Sequence, residues 1–83
     1  ADLRRASLKE TNFFMASLEG AIMSNADCRG ADFRGANLKN SYFRNANIEN
    51  AIFTSYELNK FRMELSKAVN FDKVVIRELL GDS

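Results

Sequence analysis

Ala26–Asn40 reads ADCRG ADFRG ANLKN: a small residue, a small polar residue, a large apolar residue and two variable positions, three times over. Extended in both directions in the same frame, this period of five runs from Ala1 to Ser55 as eleven consecutive units. The first slot is alanine everywhere except at Thr11 and Ser41, which are still small. The third slot holds Leu3, Leu8, Phe13, Leu18, Met23, Cys28, Phe33, Leu38, Phe43, Ile48 and Phe53, every one apolar. Chance does not hold such a register, so internal repetition governs the reading of the whole chain.

A strict period of five excludes an amphipathic helix, whose apolar positions recur at three and four and would be swept around the axis by steps of five. Slots one and three keep the period of two expected of an extended strand, and the register then resets by an odd step. The chain therefore turns every five residues. The fifth slot agrees: from Gly20 onward it reads Gly20, Asn25, Gly30, Gly35, Asn40, Asn45 and Asn50, residue types that tolerate positive φ. At a spacing of twenty, third-slot residues form like columns, Phe13/Phe33/Phe53 and Leu18/Leu38/Leu58. Four units per coil let such columns pack in register on parallel strands, which gives a square solenoid of nearly three coils.

The units AD-C-RG, AD-F-RG, AN-L-KN and AN-I-EN resemble the pentapeptide repeat family over residues 1–55. The resemblance implies an all-β fold, a right-handed quadrilateral parallel β-helix of about three coils, with slots one and three inward and the others outward. Ile22, Tyr42 and Ile52 depart from the small polar second slot of that family.

The sequence divides into this repeat region, 1–55, and a C-terminal capping segment, 56–83. Tyr56 falls where Ala16 and Ala36 stand in the preceding coils, and a phenol does not fit a space shaped for a methyl group. Thr54-Ser-Tyr-Glu57 has the form of a capping box, and Leu58, Phe61, Leu65 and Ala68 follow at helical spacing, so a helix is expected over 55–68. For 71–80 two readings stand level: a second helix capped by Asn70 and ended by Gly81, or degenerate repeats, out of phase after an insertion.

Composition narrows the function by what it lacks. The 83 residues carry no histidine, one cysteine and a net charge of +1, so neither a nitrogen–sulfur metal site nor a histidine-based triad can be assembled within one chain. No cofactor is expected. Cys28 occupies an inward slot and reads as a small buried hydrophobe. Asp2, Glu10, Glu19, Asp27, Asp32, Glu49 and Glu57 fall in outward slots and read as solvated charge. Gly30–Gly35 lacks the Lys-Ser/Thr that a phosphate loop needs. Arg29, Arg34, Lys39 and Arg44 ring four different faces and alternate with acids, so nucleic acid is not the expected partner. There is no hydrophobic run long enough to span a bilayer. Some pentapeptide repeat proteins mimic DNA and inhibit topoisomerases; the alternative that this chain does so requires a strongly negative rod, and residues 1–60 hold eight basic against seven acidic side chains.

The expected function is thus non-catalytic: a protein–protein interaction scaffold or structural subunit of a larger assembly, with other protein subunits, or further copies joined end to end, as partners. The chain opens at Ala1 in mid-pattern, and the first coil, Ala1 to Leu8 above all, should meet preceding residues or a partner. The expected partner-binding residues are the bulky ones in outward slots: Phe14, Met15 and Ile52 on one face, Ile22 and Tyr42 on another.

Overall fold

The computed structural model describes residues 2–79. Isolated parallel bridges join second-slot residues twenty apart along the chain: Asp2 to Ile22 to Tyr42, Ser7 to Asp27 to Asn47, Asn12 to Asp32 to Ile52, and Ser17 to Asn37. Four units therefore complete one coil, and successive coils stack in register. The backbone bonds around Phe33 show the repeating rule. The Asp32 N–H donates back to the Thr11 carbonyl at 3.0 Å, and the Phe33 N–H donates forward to the Ile52 carbonyl at 2.8 Å. The Ala36 N–H closes the corner on the Phe33 carbonyl at 3.0 Å. Except at Ile52–Phe53, each side of the coil contributes only one bridged residue, so the extended pieces are shorter than an ordinary strand.

The corner bond places the fifth slot third in a four-residue turn, where a type II turn needs positive φ. Gly20, Asn25, Gly30, Gly35, Asn40, Asn45 and Asn50 all take it, with φ between 59° and 75°. So do Arg5, Glu10 and Met15, at 62°, 57° and 62°. The stacking geometry imposes the left-handed conformation on side chains that do not favour it.

The interior is the product of slots one and three. Met23, Cys28, Phe33, Leu38, Ile48 and Phe53 are fully buried, with Ala21, Ala26, Ala31, Ala46 and Ala51 filling the narrow positions beside them. Phe13, Phe33 and Phe53 stack with ring centroids 5.1 and 5.2 Å apart and planes within 11° of parallel. Phe43 meets Phe33 edge-on at 5.7 Å. Slots that coincide at a spacing of twenty thus hold their rings at an attractive offset as well as excluding water.

After the strand β1 (Ile52–Phe53) the helices α1 (Ser55–Lys60) and α2 (Arg62–Leu65) replace two sides of the coil. The capping box forms: the Thr54 N–H donates to Glu57 Oε1 at 2.7 Å, and the Glu57 N–H donates to Thr54 Oγ1 at 3.5 Å. Glu57 is only 2% exposed, so the expectation that it is a solvated outward carboxylate is corrected. The repeat register has ended by then, and its carboxylate satisfies a buried backbone donor. Tyr56 turns out to solvent, while Phe61 and Leu65 reach into the end of the core.

The segment beyond the helices resumes the coil. Val69 bridges Asn47, twenty-two residues back, and β2 (Val75–Ile76) pairs in parallel with β1, Val75 lying twenty-three residues beyond Ile52. Among the described residues of this segment, 71–79, no α-helix forms: Phe71–Lys73 is a single 3₁₀ turn, with Asn70 in the left-handed conformation before it. Asn70 makes no side-chain cap and instead donates through Nδ2 to Asn47 Oδ1 at 3.0 Å. Val75–Ile76 pairs as a strand with the backbone of β1, which a helix there would leave unsatisfied. The expected stop at Gly81 lies outside the described residues.

Candidate partner-binding surface

The two ends of the stack differ. At the start, Leu3, Leu8 and Phe13 are only partly buried, whereas Met23, Cys28 and Phe33 directly above them are sealed. The N–H and C=O groups of Ser7, Asn12 and Ser17 on the outer rim of this coil have no partner among the described residues. Their counterparts one coil up, Asp27, Asp32 and Asn37, use both groups. An apolar floor rimmed by open backbone is the exposed edge that folded proteins ordinarily cover or pair.

Phe14 and Met15 stand beside this edge, 46% and 61% exposed. An Asx-type bond fixes their loop, the Phe14 N–H donating to Asn12 Oδ1 at 2.9 Å. The Arg34 guanidinium lies 5.4 Å from the centre of the Phe14 ring, within the range of a cation–π contact. Met15 leans over Gly35, where a Cβ would collide with its Sδ. Both side chains are therefore oriented by the coil above and still open to solvent. Ile22 and Tyr42 are bridged neighbours, Ile22 half-buried and Tyr42 58% exposed. Ile52 is on the same face as Phe14 and Met15 but apart from them: it belongs to β1, is half-buried, and pairs with Asp32 below and Val75 above.

The charges on the sides pair within their own units. Arg4, Arg29 and Arg34 each fold back on the aspartate two residues earlier, with NH2-to-carboxylate distances of 2.8, 2.8 and 3.1 Å. The Arg4 side-chain hydrogen bonds hold Asp2 down to a pKa of about 2, and those of Arg29 do the same for Asp27. Asp32 is raised by burial, but its bonds from Arg34 outweigh that and leave it lowered. Burial pushes the Cys28 thiol up to about 12, with the Asp27 charge adding to the effect, so it stays an unreactive thiol.

Met63 was absent from the expected partner residues. It is 79% exposed on α2 and, with Tyr42, lines a groove where the helices leave the coil. The sequence does carry a signal, since Met63 falls off the apolar stripe of Leu58, Phe61 and Leu65. No helix among the described residues is long and apolar enough to cross a membrane.

No curated protein and no solved structure matches this chain. The pentapeptide repeats family model matches residues 1–25 and 21–55, with eight copies of the repeat. With that match over more than half of the chain, and small first-slot residues alternating with apolar third-slot residues toward the core, this protein belongs to the pentapeptide repeat family.

Proposed function

We propose that the chain is a non-catalytic protein–protein interaction scaffold, a structural subunit of a larger assembly, built on a right-handed quadrilateral β-helix over 1–55 and capped by 56–83. The observation that carries this reading is the pair Phe14 and Met15, 46% and 61% exposed yet oriented by Arg34 and Gly35 of the next coil. Aromatic and methionine side chains are common anchors at protein interfaces. A non-enzymatic role is supported by the chemistry of the reactive groups: Cys28 is held protonated, three aspartates are engaged by arginines, and Glu57 by a backbone amide.

Coexpression followed by affinity capture, mass spectrometry and a solution mass measurement tests the reading. Phe14→Asp combined with Met15→Asn should abolish association while leaving the unfolding transition in place. Asparagine suits the left-handed backbone at residue 15, and aspartate can pair with Arg34. Lys39→Asp, on another face, should leave association unchanged. Equal binding by both variants would remove Phe14 and Met15 from the interface.

A further inference from the structure

Wherever two coils meet, the upper rim of the lower one is occupied in a fixed way. The Tyr42 N–H donates to the Ala21 carbonyl at 2.9 Å, and the Met23 N–H donates to the Tyr42 carbonyl at 2.8 Å. One coil further on, the corresponding atoms are the Ser41 carbonyl and the Phe43 N–H, and neither has a partner among the described residues. The chain that should have covered them has been drawn into α1 and α2. The next donor along the rim, Asn45, recovers a backbone acceptor in the Lys67 carbonyl at 3.1 Å. Asn40, the fifth-slot donor of the preceding side, finds only a side chain, donating to Glu64 Oε2 at 3.0 Å. On the Asn45 side the rim is paired again, whereas on the other side the Ala36 carbonyl and the Leu38 N–H also have no backbone partner among the described residues.

This gap lies in the groove beside α2, where Tyr42 and Met63 supply exposed apolar surface. Ser41 and Phe43 border the groove and are 6% and 1% exposed. Arg44, Lys60 and Lys67 also line the groove, and none is ion-paired with a described residue. Its one acid, Glu64, is already engaged by the Asn40 N–H. A free carbonyl and a free N–H on either side of one residue are the pattern of a parallel bridge, and the uncompensated charge is positive.

We propose that this groove binds an extended acidic segment of a partner protein, whose backbone adds one more parallel bridge above Tyr42. A peptide residue there would donate its N–H to the Ser41 carbonyl and accept from the Phe43 N–H, as in other recognition by strand addition. Flanking Asp or Glu side chains would meet Arg44, Lys60 and Lys67, and an apolar neighbour would pack on Tyr42 and Met63. A phosphate backbone could meet the cations but could not donate to the Ser41 carbonyl, so the pattern selects peptide over nucleic acid. The proposal rests on the reading of the chain as a binding module, but uses a different surface from Phe14 and Met15.

A fluorescein-labelled peptide alternating leucine with aspartate serves as the probe, read by anisotropy with the full chain. It should bind, and the amide of Phe43 should gain protection from hydrogen exchange. Replacing aspartate by lysine in the peptide, or Lys60→Glu with Lys67→Glu in the protein, should weaken binding by at least about tenfold. N-methylation of alternate peptide amides, which leaves the charge intact, should abolish it. Undiminished binding of the methylated peptide, no binding at all, or binding of an oligothymidylate in preference to the peptide would each overturn the proposal. The Phe14→Asp/Met15→Asn variant should bind the peptide normally. A lost assembly with intact peptide binding would therefore count against neither the groove nor its ligand, and an intact assembly without peptide binding would overturn the groove alone.

Discussion

Glu10 sits at φ 57° in a corner that Gly30, stacked above it, fills without strain. Left-handed backbone costs an ordinary L-residue about 1–2 kcal/mol, and asparagine and glycine escape most of that. Glu10→Asn should accordingly raise stability by about 1 kcal/mol, read as a shift of the urea midpoint, whereas Lys9→Asn at the preceding position should give no gain. The third slot behaves in the opposite sense. Phe33 is fully buried between Phe13 and Phe53, with Phe43 at its edge, so Phe33→Ala should cost roughly 3–5 kcal/mol. Exposed Lys39→Ala should stay within about 0.5 kcal/mol. Equal midpoints for the two would contradict the inward and outward assignment.

At the scale of the element, each pentapeptide is a turn, and the aspartate–arginine pair inside three of the turns ties its second slot to its fourth. Asp27 accepts from Arg29 through both carboxylate oxygens, at 2.9 and 2.8 Å. Because its folded pKa of about 2 lies below the ordinary carboxylate value of 3.8, the pair stabilises the fold above that ordinary value. The contribution is lost as pH falls from about 4 towards 2. Solvent exposure and salt keep the effect small. Stability measured by denaturant should decline over that window, and Asp27→Asn should flatten part of the decline while leaving neutral-pH stability nearly unchanged. A pH slope identical in the two proteins would show that the pair contributes nothing. The helical element follows a different logic: Glu57 is buried because it completes a capping box, and Phe61 and Leu65 take the place of the third-slot residues that a further coil would have provided.

For the whole molecule, a narrow body of 34 × 20 × 20 Å stabilised coil by coil makes the ends decisive. Each interior coil is covered on both sides, and a terminal coil on only one. At the far end Phe61 and Leu65 join the core and β2 pairs with β1. Removing 56–83 would uncover Leu38, Phe43 and Phe53 together with the β1 edge, and should yield soluble oligomers on a sizing column with light scattering. A truncated chain that remained monomeric with an unchanged transition would show that these residues do not protect the end. The proposed interface lies at the first coil because Phe14 and Met15 are exposed there.

The repeat, its frame, its inward residues and its coil length were legible in the sequence alone, because one local rule is stated eleven times and each statement constrains the next. Phe13, Phe33 and Phe53 announce their contact by spacing, and Thr54 and Glu57 their capping box by type. Bulky residues in outward slots likewise singled out Phe14, Met15, Ile22, Tyr42 and Ile52. Tertiary structure alone decided what became of them. Ile52 is paired under Val75, Phe14 lies against Arg34, and Tyr42 faces a groove made by a helix distant in sequence. It also decided that Val75–Ile76 is a strand in a shifted register, and that the Ser41 carbonyl and the Phe43 N–H have no partner among the described residues. The physical reason is common to these cases: a periodic pattern specifies neighbours at a fixed spacing, and once the helices break that spacing, backbone pairing depends on which edge atoms remain unsatisfied.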